Sequence, residues 1–86
     1  MNIYQFLILN AIEKNISLTF KELKKLGGFT DGNLASHLRA LENLGFIKAK
    51  KMVRPHKYSI SYYTTKAKGK KFLYEVLDII KNGEVK

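Results

Sequence analysis

The sequence predicts an α+β fold, mostly α, in one domain over residues 1–86: helix, short strand, helix, helix, two-stranded hairpin, C-terminal helix. Three observations carry this. Apolar residues recur at helical spacing in the first, third and last segments. Two threonines, Thr19 and Thr30, stand where helix caps belong, and glycines follow both segments. After Phe46 the apolar period changes from helical to two, as a hairpin requires.

The first helix is expected from Ile3 to about Asn15. Ile8, Ala11 and Ile12 form its stripe, and Tyr4, Phe6, Leu7 and Leu9 widen the apolar arc beyond one face. A very short strand follows at Ser17-Leu18. Thr19-Phe20-Lys21-Glu22 is a capping box, with Leu18 and Leu23 placed as a hydrophobic staple. Gly27-Gly28 ends this short helix, and Lys24 and Lys25 sit near its negative end. Thr30 caps the third helix, Asp31 complements its positive start, and Phe29 and Leu34 make a second staple. Leu34, Leu38 and Leu41 are its inward stripe. Gly45 is the left-handed stop, with Phe46 folding back on Leu41.

On the hairpin, Ile47 and Ala49 point one way and Lys48 and Lys50 the other. Pro55 breaks ladder pairing, so Arg54 to Lys57 reads as the tip. Tyr58, Ile60 and Tyr62 alternate with Ser59, Ser61 and Tyr63 on the return strand. The last helix runs from about Lys66 to Asn82, with Phe72, Leu73, Val76, Leu77, Ile79 and Ile80 covering more than half its circumference.

The net charge is +9, from 16 Lys+Arg against 7 Asp+Glu, which favours a polyanionic partner: nucleic acid or an acidic membrane surface. The lack of cysteine excludes disulfides, thiolate metal sites and thiol redox sensing. His37 and His56 have no metal-ligand spacing, so no metal is expected. The apolar start is interrupted by Gln5 and Asn10, lacks the marks of a signal peptide, and is too short to span a bilayer. A cytoplasmic protein without membrane attachment is expected. The acidic residues are scattered. With no nucleophile elbow and no phosphate-cradling glycine loop, neither an enzyme nor a cofactor is expected.

The run Leu18-Thr19-Phe20-Lys21-Glu22-Leu23, then Thr30-Asp31-Gly32-Asn33-Leu34-Ala35-Ser36-His37-Leu38, then Leu41-Glu42-Asn43-Leu44-Gly45-Phe46-Ile47 resembles the winged helix-turn-helix domains of prokaryotic transcriptional regulators. The likeness is to the compact archaeal and bacterial proteins related to the MarR and ArsR groups, and it covers nearly the whole chain. Two departures stand out. Tyr63-Thr64-Thr65-Lys66-Ala67-Lys68-Gly69 has one residue more between threonine and glycine than the family's usual Leu-Thr-x-x-Gly. The wing has Arg54-Pro55-His56-Lys57 in place of the usual glycine. The resemblance implies double-stranded DNA binding by a symmetric dimer. The third helix would enter the major groove, and the wings would reach the flanking backbone or minor groove.

On the third helix, Thr30, Gly32, Asn33, Ser36, His37, Ala40 and Asn43 lie off the leucine stripe. One reading is a recognition face. Gly32 lets the backbone come close, Asn33 pairs with an adenine edge, Ser36 bonds a phosphate or base, and His37 donates or accepts. The other is a solvated polar face with His37 tucked against the core. Arg39, toward the flank, has two readings: a phosphate or guanine contact, or a surface ion pair with Glu42 or Glu22. Lys48, Lys50, Lys51, Arg54, His56 and Lys57 crowd the hairpin, either as a phosphate-neutralising wing or as lysines that guard a sheet edge. Lys21, Lys24 and Lys25 have the same choice between backbone contact and solvent. Lys66, Lys68, Lys70 and Lys71 oppose the dipole of the last helix.

The wide apolar arcs of the terminal helices suggest a homodimer interface of Ile3, Tyr4, Leu7, Phe72, Val76, Ile79 and Ile80. The alternative is that both helices simply cover a small core. Nothing in the residues demands a small-molecule effector, which would have to bind in the dimer cleft. Two rivals remain: a sequence-neutral nucleoid or RNA-binding protein, and a winged helix protein-interaction adaptor.

Overall fold

A computed structural model describes residues 1–53 and 60–83. The element order is α1 (Ile3–Asn15), β1 (Ser17–Thr19), α2 (Phe20–Gly27), α3 (Asp31–Asn43), β2 (Ile47–Met52), β3 (Ile60–Thr65) and α4 (Ala67–Asn82). This is the expected order, and the boundaries fall within about a residue of expectation except at β3, which runs on to Thr65, two residues past the expected Tyr63. The supposed hairpin tip from Arg54 to Lys57, with Tyr58 and Ser59, lies outside the described residues.

Local chemistry explains the boundaries. Thr19 and Glu22 form the expected box: Glu22 N donates to Thr19 Oγ1 at 3.1 Å, and Thr19 N donates to Glu22 Oε1 at 2.9 Å. Thr30 Oγ1 accepts from Asn33 N at 3.2 Å. A third cap escaped the sequence reading. Asn2 Oδ1 accepts from Gln5 N at 3.0 Å, and Asn2 N donates to Gln5 Oε1 at 3.3 Å, so α1 also opens on a capping box. At the end of α3, Gly45 takes φ +76°. Gly45 N then donates to Glu42 O at 2.9 Å and Phe46 N to Leu41 O at 3.0 Å, the paired bonds of a Schellman stop. A side chain at Gly45 would strain that left-handed turn.

β1 joins the hairpin to make a three-stranded antiparallel sheet of order β1-β3-β2. Leu18 pairs with Tyr63, and Tyr63 with Ala49, so these three residues share one row. Leu18 and Tyr63 are buried in that row. Tyr63 is therefore the residue β3 turns into the core, while Ile60 and Tyr62 lie half-buried on the opposite side of the strand.

One apolar cluster holds the domain together. Ile8, Leu9 and Ile12 of α1, Leu23 of α2, Leu34, Leu38 and Leu41 of α3, and Leu73 of α4 meet Leu18, Phe46, Ile47 and Tyr63. The three leucines of α3 are essentially inaccessible, and each contributes about 2 kcal/mol by leaving water. They fix which side of α3 faces outward. Phe72, one of the residues expected on a dimer face, packs against this cluster. It is half-buried and stacks on Phe46 with ring centroids 4.8 Å apart, because the start of α4 runs close over the Phe46 backbone.

Candidate nucleic-acid interface

The polar side of α3 sorts into two strips. Gly32, Ser36, Arg39 and Asn43 are spaced four, three and four residues apart, which at about 3.6 residues per turn puts them in one line. All four are exposed, and the line lies opposite Leu34, Leu38 and Leu41. Asn33, His37 and Ala40 form a second strip beside it. Asn33 is exposed, whereas His37 and Ala40 are half-buried.

Arg39 stands in the middle of the exposed line and not toward its flank. Neither ion pair considered for it forms. Among the described residues the sole ion pair is Lys24 Nζ to Asp31 Oδ1 at 2.7 Å, bridging α2 to the start of α3. That contact commits Lys24 to the helix-turn-helix joint, while Lys21 and Lys25 remain exposed. Arg39 is thus an exposed guanidinium with no structural partner among the described residues, at the centre of a helix face that the fold leaves open.

His37 follows the second of its two readings in part. Its Nδ1 lies 3.4 Å from Gln5 Nε2, and its ring stacks on Tyr4 with centroids 6.0 Å apart. Phe29, in the turn before α3, meets the His37 ring edge-on at 5.8 Å. Tyr4, Phe29, Thr30, Asn33 and His37 border a cleft of about 320 Å³ beside the start of α3. The first turn of α1 therefore buttresses α3. Only contacts between distant segments reveal this, so local spacing held no signal for it beyond the overlooked Asn2–Gln5 cap.

On the hairpin, Lys48, Lys50 and Lys51 are exposed. Lys48 pairs across the ladder with Thr64 and Lys50 with Tyr62, which puts both on the sheet face turned away from the core; Lys51 pairs with Ser61 on the other face. Arg54, His56 and Lys57 fall outside the described residues. Of the terminal-helix residues, Ile3, Tyr4, Leu7, Ile79 and Ile80 are at least half exposed, while Val76 is half-buried. Tyr74 links the two helices by donating from its hydroxyl to Glu13 Oε2 at 2.9 Å. That bond, together with the Glu13 charge, raises the phenol's pKa above its ordinary value.

Among the described residues no three His, Cys, Asp or Glu side chains group as a metal site, and no helix is long and apolar enough to cross a membrane.

A helix with an anchored apolar side and an open polar side, flanked by a lysine-bearing hairpin, is a winged helix-turn-helix architecture. Residues 5–82 match the family described as winged helix DNA-binding domain, and the chain belongs to that family. An uncharacterised protein of Methanocaldococcus jannaschii is 38% identical over 68 residues, which cover 76% of this chain and 74% of that protein. Among solved structures, a transcriptional regulator homologue from Pyrococcus horikoshii matches with a TM-score of 0.77 at 24% identity, over 98% of this chain and 86% of that one. A mutant MarR from E. coli complexed with operator DNA matches with a TM-score of 0.71 at 21% identity, over 87% of this chain and 52% of that one. The chain spans 60% of a MarR chain and 47% of a PadR chain that it matches. The fold is the one those regulators share.

Proposed function

We propose that the protein is a homodimeric transcriptional regulator that binds double-stranded DNA at specific sequences in the cytoplasm. The observation that carries this is the open line of Gly32, Ser36, Arg39 and Asn43, with Arg39 unpaired among the described residues and the leucines opposite fully occupied. The family membership, the operator complex of the MarR relative and the net charge of +9 support it. Affinity comes mainly from Lys50, Lys51 and the other basic residues against phosphate, and sequence discrimination from Asn33, Ser36 and Arg39 against base edges. The exposed apolar residues at the ends of α1 and α4 support pairing of two copies, which sets two recognition helices about 34 Å apart on half-sites one turn from each other.

Selection from random duplexes followed by titration tests the reading. A palindromic site is expected, with binding that weakens steeply as salt rises. Arg39→Ala is expected to weaken the selected site by about 1–3 kcal/mol and random duplex by less, whereas Lys50→Ala flattens the salt slope by about one unit on both. Equal loss on both duplexes in Arg39→Ala would remove base reading from that residue. Failure to enrich any site would favour the sequence-neutral rival.

A further inference from the structure

We infer that Gln5 of α1 is a positioning residue that fixes the tautomer of His37 of α3, with the hydrogen of the neutral imidazole on Nε2, so that α3 presents a hydrogen-bond donor there and not an acceptor. The chain of constraint starts at the N-terminal cap. Asn2 N can only donate, and the Gln5 side-chain atom 3.3 Å from it must therefore be the oxygen. The reciprocal bond from Gln5 N to Asn2 Oδ1 at 3.0 Å locks the box. With its oxygen committed, the Gln5 amide turns its NH2 the other way, and that nitrogen lies 3.4 Å from His37 Nδ1. An amide NH2 has no lone pair to offer, so Nδ1 must be the acceptor. A neutral imidazole has one hydrogen, and it then sits on Nε2.

Two rings hold this orientation. Tyr4 lies over His37 with an interplanar angle of 27°, Phe29 meets His37 at 67°, and Tyr4 meets Phe29 at 84° with centroids 6.2 Å apart. Among the described residues no group takes a hydrogen bond from His37 Nε2. The ring borders the same cleft as Asn33, one turn earlier on the same side of α3. A fixed N–H there suits guanine O6 or N7, thymine O4 or a phosphate oxygen, and opposes the amino groups of cytosine and adenine. That consequence rests on α3 facing the duplex; the tautomer does not.

The test uses long-range proton–nitrogen correlation spectra of the 15N-labelled full chain at mildly alkaline pH, with His37 identified by its loss in His37→Gln. The wild type is expected to show Nε2 protonated and Nδ1 bare. Gln5→Glu keeps the capping box, because Glu serves at that position as well as Gln, but faces Nδ1 with an acceptor. The hydrogen is expected to move to Nδ1 with no loss of helix content. A wild type protonated at Nδ1, or a spectrum indifferent to Gln5→Glu, would overturn the inference. On a selected duplex, Gln5→Glu is expected to change the preference at one base position by roughly fivefold or more. An unchanged preference with a switched tautomer would reduce His37 to a packing group. No duplex binding by the wild type would instead end the DNA reading of α3 and leave the tautomer result standing.

Discussion

Gly69→Ala is expected to destabilise the domain by about 3 kcal/mol or more, a large part of the ~5–15 kcal/mol that holds a domain folded. Gly69 is buried in the first turns of α4, where the helix lies directly on the backbone between α3 and β2. A Cβ added there would stand 2.2 Å from the carbonyl oxygen of Phe46 and 2.9 Å from its carbon. The obstacle is main chain, which cannot swing aside as a side-chain tip can. The same carbonyl accepts from Lys66 N at 2.8 Å, so α4 cannot back away without losing the bond that starts it and the Phe46–Phe72 stack. Denaturant unfolding followed by circular dichroism reads the effect as a lower midpoint at unchanged slope. Gly32→Ala is the control: nothing lies within 4 Å of an added Cβ, and alanine favours helix, so stability is expected to hold or rise by up to ~1 kcal/mol. A Gly69→Ala midpoint equal to the Gly32→Ala midpoint would contradict the close seating of α4.

The second large effect concerns assembly. Ile80→Asp is expected to convert the proposed dimer to monomer and weaken binding to a selected palindrome by about 100-fold or more. Ile80 is 60% exposed and Ile79 69% exposed in the single chain, and Ile3 and Leu7 are similarly open. A charge at position 80 therefore costs the isolated fold little, because the side chain already meets water. In a dimer that covers this face the same carboxylate would be desolvated without a partner. Loss of the second recognition helix removes the benefit of linked half-sites while single-site contacts survive. Sedimentation gives the mass, and duplex titration gives the affinity. Dimer mass and full affinity in Ile80→Asp would place the contact elsewhere.

The sequence was most legible where structure is made locally. Thr19 with Glu22, Thr30, and Gly45 each act within a few residues of themselves, and each cap stands where spacing placed it. Less legible was whatever depends on one segment meeting another. A strand of three residues, Ser17–Thr19, carries too little period to announce that it pairs with β3 and sets Leu18 beside the buried Tyr63. Phe72 reads as apolar and surface-ready until α4 is seen lying on Phe46. The outward side of α3 was readable from its leucines, yet the central place of Arg39 needed the full spacing from Gly32 to Asn43. The contacts of His37 with Gln5 and Tyr4 come from α1, more than thirty residues away in the chain, so no pattern within α3 could contain them.

The central claim is that the outward line of α3 meets the duplex. Backbone amide spectra of the labelled protein, titrated with a selected duplex, test it most directly. The account predicts the largest shifts at Gly32, Asn33, Ser36, Arg39 and Asn43, with a second group at Lys50 and Lys51. Shifts confined to the far ends of α1 and α4, with those α3 amides unmoved at saturation, would contradict it.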